Sequence, residues 1–251
     1  MVARDFPLPA RIEPDAVLEA IVEIRFDAPT ILPEVLFGRL SEHAAWAEFQ
    51  QRRLAAYEIP AALRESDVNL RFAPIFELVR PDSRRIVRIG PHAMSYHVLA
   101  PYPGWGVFRP EIEQAIDELY SKASGMTVTR IGMRYINALS ADKHGVDTPG
   151  TLDLSIRVSQ RQLHENLNLN FTVAPTTSTR CTIRISTKEF VQGIQGDEPR
   201  VFVDADVFTP EVFELADSTA VKQWIVEAHD VERKEFFCLL TEQTLTRLRK
   251  D

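Results

Sequence analysis

The chain has 251 residues, 45% of them hydrophobic and 26% charged, which is the composition of a globular protein large enough for one sizeable core or two small ones. A formal net charge of −7 and a pI near 5.5 argue against a general nucleic-acid binder, while leaving room for a small polar or anionic ligand at a local basic patch. Cys181 and Cys238 make neither a disulfide framework nor a metal-ligand spacing. No stretch nears the roughly 18 apolar residues of a membrane span. The start, MVARDFPLPARIEPD, lacks the apolar core of a secretory signal, so the expectation is a reduced cytoplasmic protein with no membrane partner.

Residues 1–14 carry Pro7, Pro9 and Pro14 and read as an extended arm. Val17 to Phe26 alternates as a first strand that Pro29 ends. Leu32 to Phe49 has helical spacing, with Thr30 as a cap and Pro33 in the first turn. Val68 to Val79 and Arg85 to Leu99 read as two strands joined at Arg80-Pro81-Asp82-Ser83. Tyr102 to Phe108 reads as a Pro/Gly loop carrying Tyr102, Trp105 and Phe108, after which Pro110 opens a helix that Gly125 stops. Thr127 to Ser140 is the most strand-like polar segment. Its alternation puts Arg130 and Arg134 on one face, Tyr135 and Asn137 on the other. A site that used all three of Arg134, Tyr135 and Asn137 would need a bulge, with Gly132 the natural place.

Gly145, Pro149 and Gly150 mark a linker, and four alternating segments follow around Leu152–Val158, Leu167–Val173, Cys181–Ile185 and Val201–Val207. Ser218 or Thr219 then caps a last helix reaching towards Leu248. The fold class is α+β with a large, mainly antiparallel sheet. The first half has the strand-helix-strand-strand-helix-strand order of ferredoxin-like folds, and the second is a β-meander closed by a long C-terminal helix. The halves divide at 1–142 and 143–251, or form one continuous domain. A second parse takes the helix from Pro110, five strands and the last helix as one unit with a ligand cavity between sheet and helix.

No P-loop, GxGxxG, HExxH, GxSxG or paired CxxC is present, and the chain gives no sign of a cofactor or a bound metal. Candidate chemistry therefore rests on dispersed groups. His229 and Glu232 lie three apart on the apolar face of the last helix, where a carboxylate would fix the imidazole tautomer and raise its pKa. The plainer reading is a satisfied pair at the edge of a helix–sheet interface. Ser95 and His97 share a strand face, an arrangement that supports nucleophilic catalysis only with an acid to orient the base and an oxyanion donor, neither of which is legible, and the plainer reading is a surface-facing strand position. Tyr102, Trp105 and Phe108 either stack on a ligand or plug the end of the core. The arginines Arg80, Arg84, Arg85 and Arg88 make a basic hairpin tip that either meets phosphate or is salt-bridged.

Four stretches together, Pro14–Phe26 (PDAVLEAIVEIRF), Tyr102–Phe108 (YPGWGVF), Arg130–Asn137 (RIGMRYIN) and Ala228–Phe237 (AHDVERKEFF), run in an order that resembles a family of sporadically distributed bacterial proteins to which no activity is assigned. The resemblance implies an accessory role, such as in defence, and draws attention to Glu23, Arg25, Trp105, Arg134, Tyr135, Asn137 and His229. The leading expectation is a non-catalytic binding or regulatory module with its groove at Arg134, Tyr135 and Trp105, and a protein or a small polar ligand as partner. The alternatives are a metal-independent RNA-processing or hydrolytic enzyme using His229 or His97, and a small-ligand protein with its cavity against the last helix.

Overall fold

The computed structural model describes residues 8–187, 200–210 and 217–250. In chain order its strands and helices are β1 (Arg11–Ile12), β2 (Val17–Asp27), α1 (Pro33–Ser41), β3 (Gln50–Arg53), α2 (Ala61–Ser66), β4 (Phe76–Val79), β5 (Arg85–Ile89), β6 (Ala93–Leu99), α3 (Trp105–Lys122), β7 (Thr127–Ser140) and α4 (Ala141–His144). There follow β8 (Ile156–Val158), β9 (Arg161–Leu163), β10 (Asn168–Val173), β11 (Arg180–Thr187), β12 (Arg200–Phe208), α5 (Ser218–Cys238), α6 (Glu242–Leu248) and β13 (Arg249–Lys250). Nine strands form one antiparallel sheet in the order β10-β11-β12-β7-β2-β6-β5-β4-β3, so the expected α+β class with a large sheet and a C-terminal helix holds. β8 pairs with β9, and β1 pairs with β13 through Arg11 opposite Lys250 and Ile12 opposite Arg249.

The described residues fall into two compact units. One comprises Met1–Leu18, Arg134–Val207 and Glu227–Asp251, the other Glu19–Met133 and Phe208–Val226. In the second unit, α1 and α3 cover the sheet face that carries Ala20, Val22, Ile24, Phe26 and Tyr96. Tyr96 meets Phe108 of α3 at 6.2 Å, and Phe37 of α1 stacks on Phe76 at 4.3 Å. These apolar side chains are buried because strand alternation aims them all to one side, where two amphipathic helices exclude water.

Several boundaries differ from the sequence reading, each for a local reason. Arg85–Leu99 is two strands, because Gly90 and Pro91 turn the chain and the Gly90 N–H donates to the Ala93 carbonyl at 2.8 Å. A Cβ on Gly90 would lie 2.6 Å from the Ala73 carbonyl oxygen, so the close approach of the chain here requires glycine. Of Val68–Val79 only Phe76–Val79 is strand; Asp67 holds the preceding residues in turns, its carbonyl accepting from the Leu70 and Arg71 N–H groups. α3 begins at Trp105 rather than Pro110, since Gly104, at φ +90°, starts the helix by accepting from the Val107 and Phe108 N–H groups. Asp217, not Ser218 or Thr219, caps α5 by accepting from the Ala220 N–H at 2.9 Å. The last helix is broken after Cys238, and the Thr241 side chain caps α6.

One polar contact anchors α3. Arg85, 6% exposed, donates Nε to Glu111 Oε2 at 2.7 Å and an Nη to Oε1 at 3.1 Å, and the Tyr96 hydroxyl donates to the same carboxylate at 3.2 Å. Removing the carboxylate strands a buried guanidinium. Glu111→Ala is therefore expected to destabilise the protein by about 2–4 kcal/mol, whereas Glu113→Ala, which breaks only the exposed pair with Arg109, changes stability by less than about 1 kcal/mol. Urea unfolding of the two variants checks the contrast.

Candidate functional site

β7 alternates without interruption: Ile131, Met133, Tyr135, Asn137 and Leu139 are buried, while Arg130, Arg134, Ile136 and Ala138 are partly exposed. There is accordingly no bulge at Gly132, and Arg134 faces away from Tyr135 and Asn137. Gly132 serves a different end. The Arg130 guanidinium folds back over it, with Nη1 2.7 Å from where a Cβ would stand, and so reaches Glu23 at 3.1 Å and the face of Phe208 at 4.8 Å. Arg134 makes a bidentate pair with Asp204 of β12, both contacts at 2.7 Å, and Arg184 of β11 adds a third at 3.3 Å. Those two arginines are held in ion pairs on their own face.

On the buried face the first unit gathers a different set. The stripe of α5 that recurs at three- and four-residue spacing holds Ala228, His229, Glu232, Glu235 and Phe236, all less than 9% exposed. Tyr135 meets His229 with ring centroids 6.2 Å apart, and the Asn137 amide donates to the Val203 carbonyl at 3.4 Å. Cys181 of β11 is fully buried near the carboxyls of Glu235 and Glu232; burial first and those carboxyls next push its thiol pKa far up, so it is neither nucleophilic nor a ready metal ligand.

Cys181, His229, Glu232 and Glu235 are each driven towards the neutral form. Burial raises Glu232 to about 8, against a small opposing effect of Arg233, and burial also raises Glu235. Burial, helped by Arg233, lowers His229 to about 4. A charged carboxylate neighbour would raise the imidazole; the reverse holds, because burial disfavours its charged form and Arg233 adds to that. Asp230 lies 3.9 Å from His229 Nδ1 but is mostly exposed and does not offset the burial. Glu232 is 4% exposed and has no hydrogen-bond or ion-pair partner among the described residues. A buried carboxyl left unmatched in this way is rare in folded proteins and costly.

Arg134 is on the far face of β7 from Tyr135, and Trp105 belongs to the second unit, where it meets Phe108 edge-on at 6.3 Å while Tyr102 meets the same ring at 5.8 Å. What the structure does bring together is Tyr135 and His229, with Glu232 three residues along the same face of α5. Glu235 and Cys181 were missed in sequence, although Glu235 continues the three-residue spacing from Glu232. Among the described residues no group of three or more His, Cys, Asp or Glu side chains is arranged to hold a metal ion, and no helix is long and apolar enough to cross a membrane. No protein-family model matches the chain, and no curated protein is found as a relative.

Proposed function

We propose that the protein is a binding module whose ligand is received by the buried polar face of α5, and that the ligand is small and carries a basic nitrogen. The observation that carries this reading is the Glu232 carboxyl, buried and unmatched. A protonated carboxyl there has hydrogen-bonding capacity that no described residue uses. A cationic amine in contact with it would supply the charge that desolvation withholds, letting Glu232 and then Glu235 ionise, and the Tyr135 ring beside His229 offers an aromatic face to the same cation. An anion would meet two carboxyls and a neutral imidazole and gain nothing. A core in which the polar face merely completes the packing is the rival reading. The accessory role implied by the four-stretch resemblance, and the ferredoxin-like element order, are compatible with a binding module and add nothing to its chemistry.

The test is calorimetric titration with a panel of small primary and quaternary amines at pH 7. A true ligand should release up to about one proton per Glu232 on binding, seen as a heat that depends on the ionisation enthalpy of the buffer. Glu232→Gln, which keeps the shape and cannot ionise, should weaken binding at least tenfold and abolish the proton release. If no amine binds, or if the Gln variant binds with the same affinity and the same buffer dependence, the reading fails.

A further inference from the structure

The second unit holds a group of side chains that no part of the binding reading uses. On the sheet face opposite α1 and α3, Ser95 Oγ lies 2.8 Å from His97 Nε2, and His97 Nδ1 lies 2.7 Å from Glu19 Oε1. Ser95 and His97 are two apart on β6, so their side chains leave the same face; Glu19 reaches them from β2, whose register sets Ile21 opposite His97 and Glu23 opposite Ser95. The hydrogen-bond roles are fixed by the partners. A carboxylate can only accept, so Nδ1 carries a proton and donates to Glu19; in the neutral imidazole that leaves Nε2 as the acceptor for the Ser95 hydroxyl. His97 is 5% exposed and gripped from both ends, which locks the ring and its tautomer. This is the order of contacts by which a serine is activated: hydroxyl to imidazole, imidazole to carboxylate.

The neighbours of Ser95 matter as much as its partners. Reading across the sheet at this level, Arg52 stands opposite Glu77, Glu77 opposite Arg88, Arg88 opposite Ser95, and Ser95 opposite Glu23, which pairs in turn with Arg25 at 2.7 Å and Arg130 at 3.1 Å. Ser95 is thus the one uncharged member of a rung of alternating charge spanning five strands. A sheet residue has no spare backbone N–H beside it, because those groups are spent in the ladder, so an oxyanion donor must be a side chain. The Arg88 side chain, on the residue directly opposite Ser95 and 38% exposed, turns its Nε to Glu77 at 3.5 Å, and its Nη groups are the donors placed for that role.

We infer that Ser95, His97 and Glu19 form a nucleophilic relay that cleaves small esters, with Arg88 as the donor to the developing oxyanion. In the first half-reaction Ser95 Oγ bonds to the ester carbonyl carbon while its proton passes to His97 Nε2. The tetrahedral oxyanion collapses, the carbon–oxygen bond to the alcohol breaks, and the alcohol leaves with the proton from His97. In the second, His97 takes a proton from water, the resulting hydroxide adds to the acyl-Ser95 carbonyl, and the carboxylic acid departs as Ser95 regains its proton. Glu19 touches no reacting atom; it is a positioning residue that holds the ring and stabilises the imidazolium. Because the three residues lie in the second unit, this inference stands apart from the amine-binding reading, and failure of either leaves the other intact.

The experiment is treatment of the full chain with a small fluorophosphonate, followed by intact mass and peptide mapping, alongside hydrolysis of p-nitrophenyl acetate. The expected result is one adduct per chain, at Ser95, with release of p-nitrophenol. Ser95→Ala and His97→Ala should lose both, and Glu19→Gln should slow labelling by roughly 10²–10⁴-fold and move the pH midpoint of the labelling rate downwards, a change that a merely structural carboxylate would not produce. Far-ultraviolet circular dichroism confirms that each variant folds, and the mapped position on the unaltered protein decides the matter without any variant. No adduct at Ser95, or an adduct only elsewhere, overturns the relay; a Ser95 adduct whose rate and pH midpoint are the same in Glu19→Gln overturns the role of Glu19.

Discussion

Glu232→Gln is expected to make the protein more stable than the unaltered chain at alkaline pH, and equal to it below about pH 4.5. The carboxyl sits at about 8 in the folded protein against an ordinary value of 4.5, so between those values the folded state holds a proton that the unfolded state has released. Stability must then fall as pH rises through that window, by on the order of 5 kcal/mol in total, and level off above about 8. Glu235, raised by burial on the same stripe, adds to the loss. His229 works in the other direction: lowered from 6.5 to about 4, it favours the folded state above 6.5 and removes that stability as pH falls towards 4, by on the order of 3 kcal/mol. The two windows overlap between 4.5 and 6.5, where their slopes cancel, so the protein should be most stable there and weaken on both sides. Urea denaturation at half-unit steps from pH 4 to 9 measures the profile. A Gln variant whose curve runs parallel to the original would show that Glu232 is charged and matched in the folded state.

The second large effect concerns the aromatic group at the start of α3. Phe108 is fully buried and lies within 6.2 Å of Tyr96, 5.8 Å of Tyr102 and 6.3 Å of Trp105, measured between ring centroids. Phe108→Ala should cost about 3–5 kcal/mol, from lost burial together with the cavity left behind. For a chain of this size that is a fall in Tm of about 6–20 °C. Trp105→Ala should cost distinctly less, because Trp105 is only half-buried. The ordering separates two roles. A ring that plugs the core takes its effect in stability, whereas a ring that stacks on a ligand takes it in binding, and equal small losses for both variants would point to the latter.

The parts of this fold that the sequence disclosed are those governed by a single period. β7 was legible over its whole length because buried residues recur at every second position from Ile131 to Leu139, and the α5 stripe because His229 and Glu232 share the spacing of Ile225 and Phe236. Where two signals compete, the local one misleads. Pro110 looked like a helix start, yet Gly104 opens α3 six residues earlier; the apolar run from Arg85 to Leu99 hid the turn at Gly90. Charge state was beyond reach for another reason. Whether a carboxyl beside a histidine is charged depends on how deeply both are buried, and spacing along a helix carries no measure of depth. The relay at Ser95 shows the same limit in register: the shared face of Ser95 and His97 follows from parity, but Glu19 is 78 residues from His97 and joins them only through the pairing of β2 with β6.

The short ladder between β1 and β13 bears on how the chain folds as it is made. Arg11 and Ile12 find their partners at Lys250 and Arg249, and the Glu13 N–H donates to the Leu248 carbonyl at 2.8 Å. At the usual 5–20 residues per second, the roughly 240 residues between those partners take on the order of 10–50 s to synthesise. For that interval the arm before β2 has no ladder to join, although β2 itself meets β6 after fewer than a hundred residues. The segment Glu19–Met133 can begin to order early, while the unit closed by β1 and β13 must wait until Lys250 has been made. A chain stalled before Lys250 would carry the arm before β2 without its ladder, exposed to chaperones and proteases.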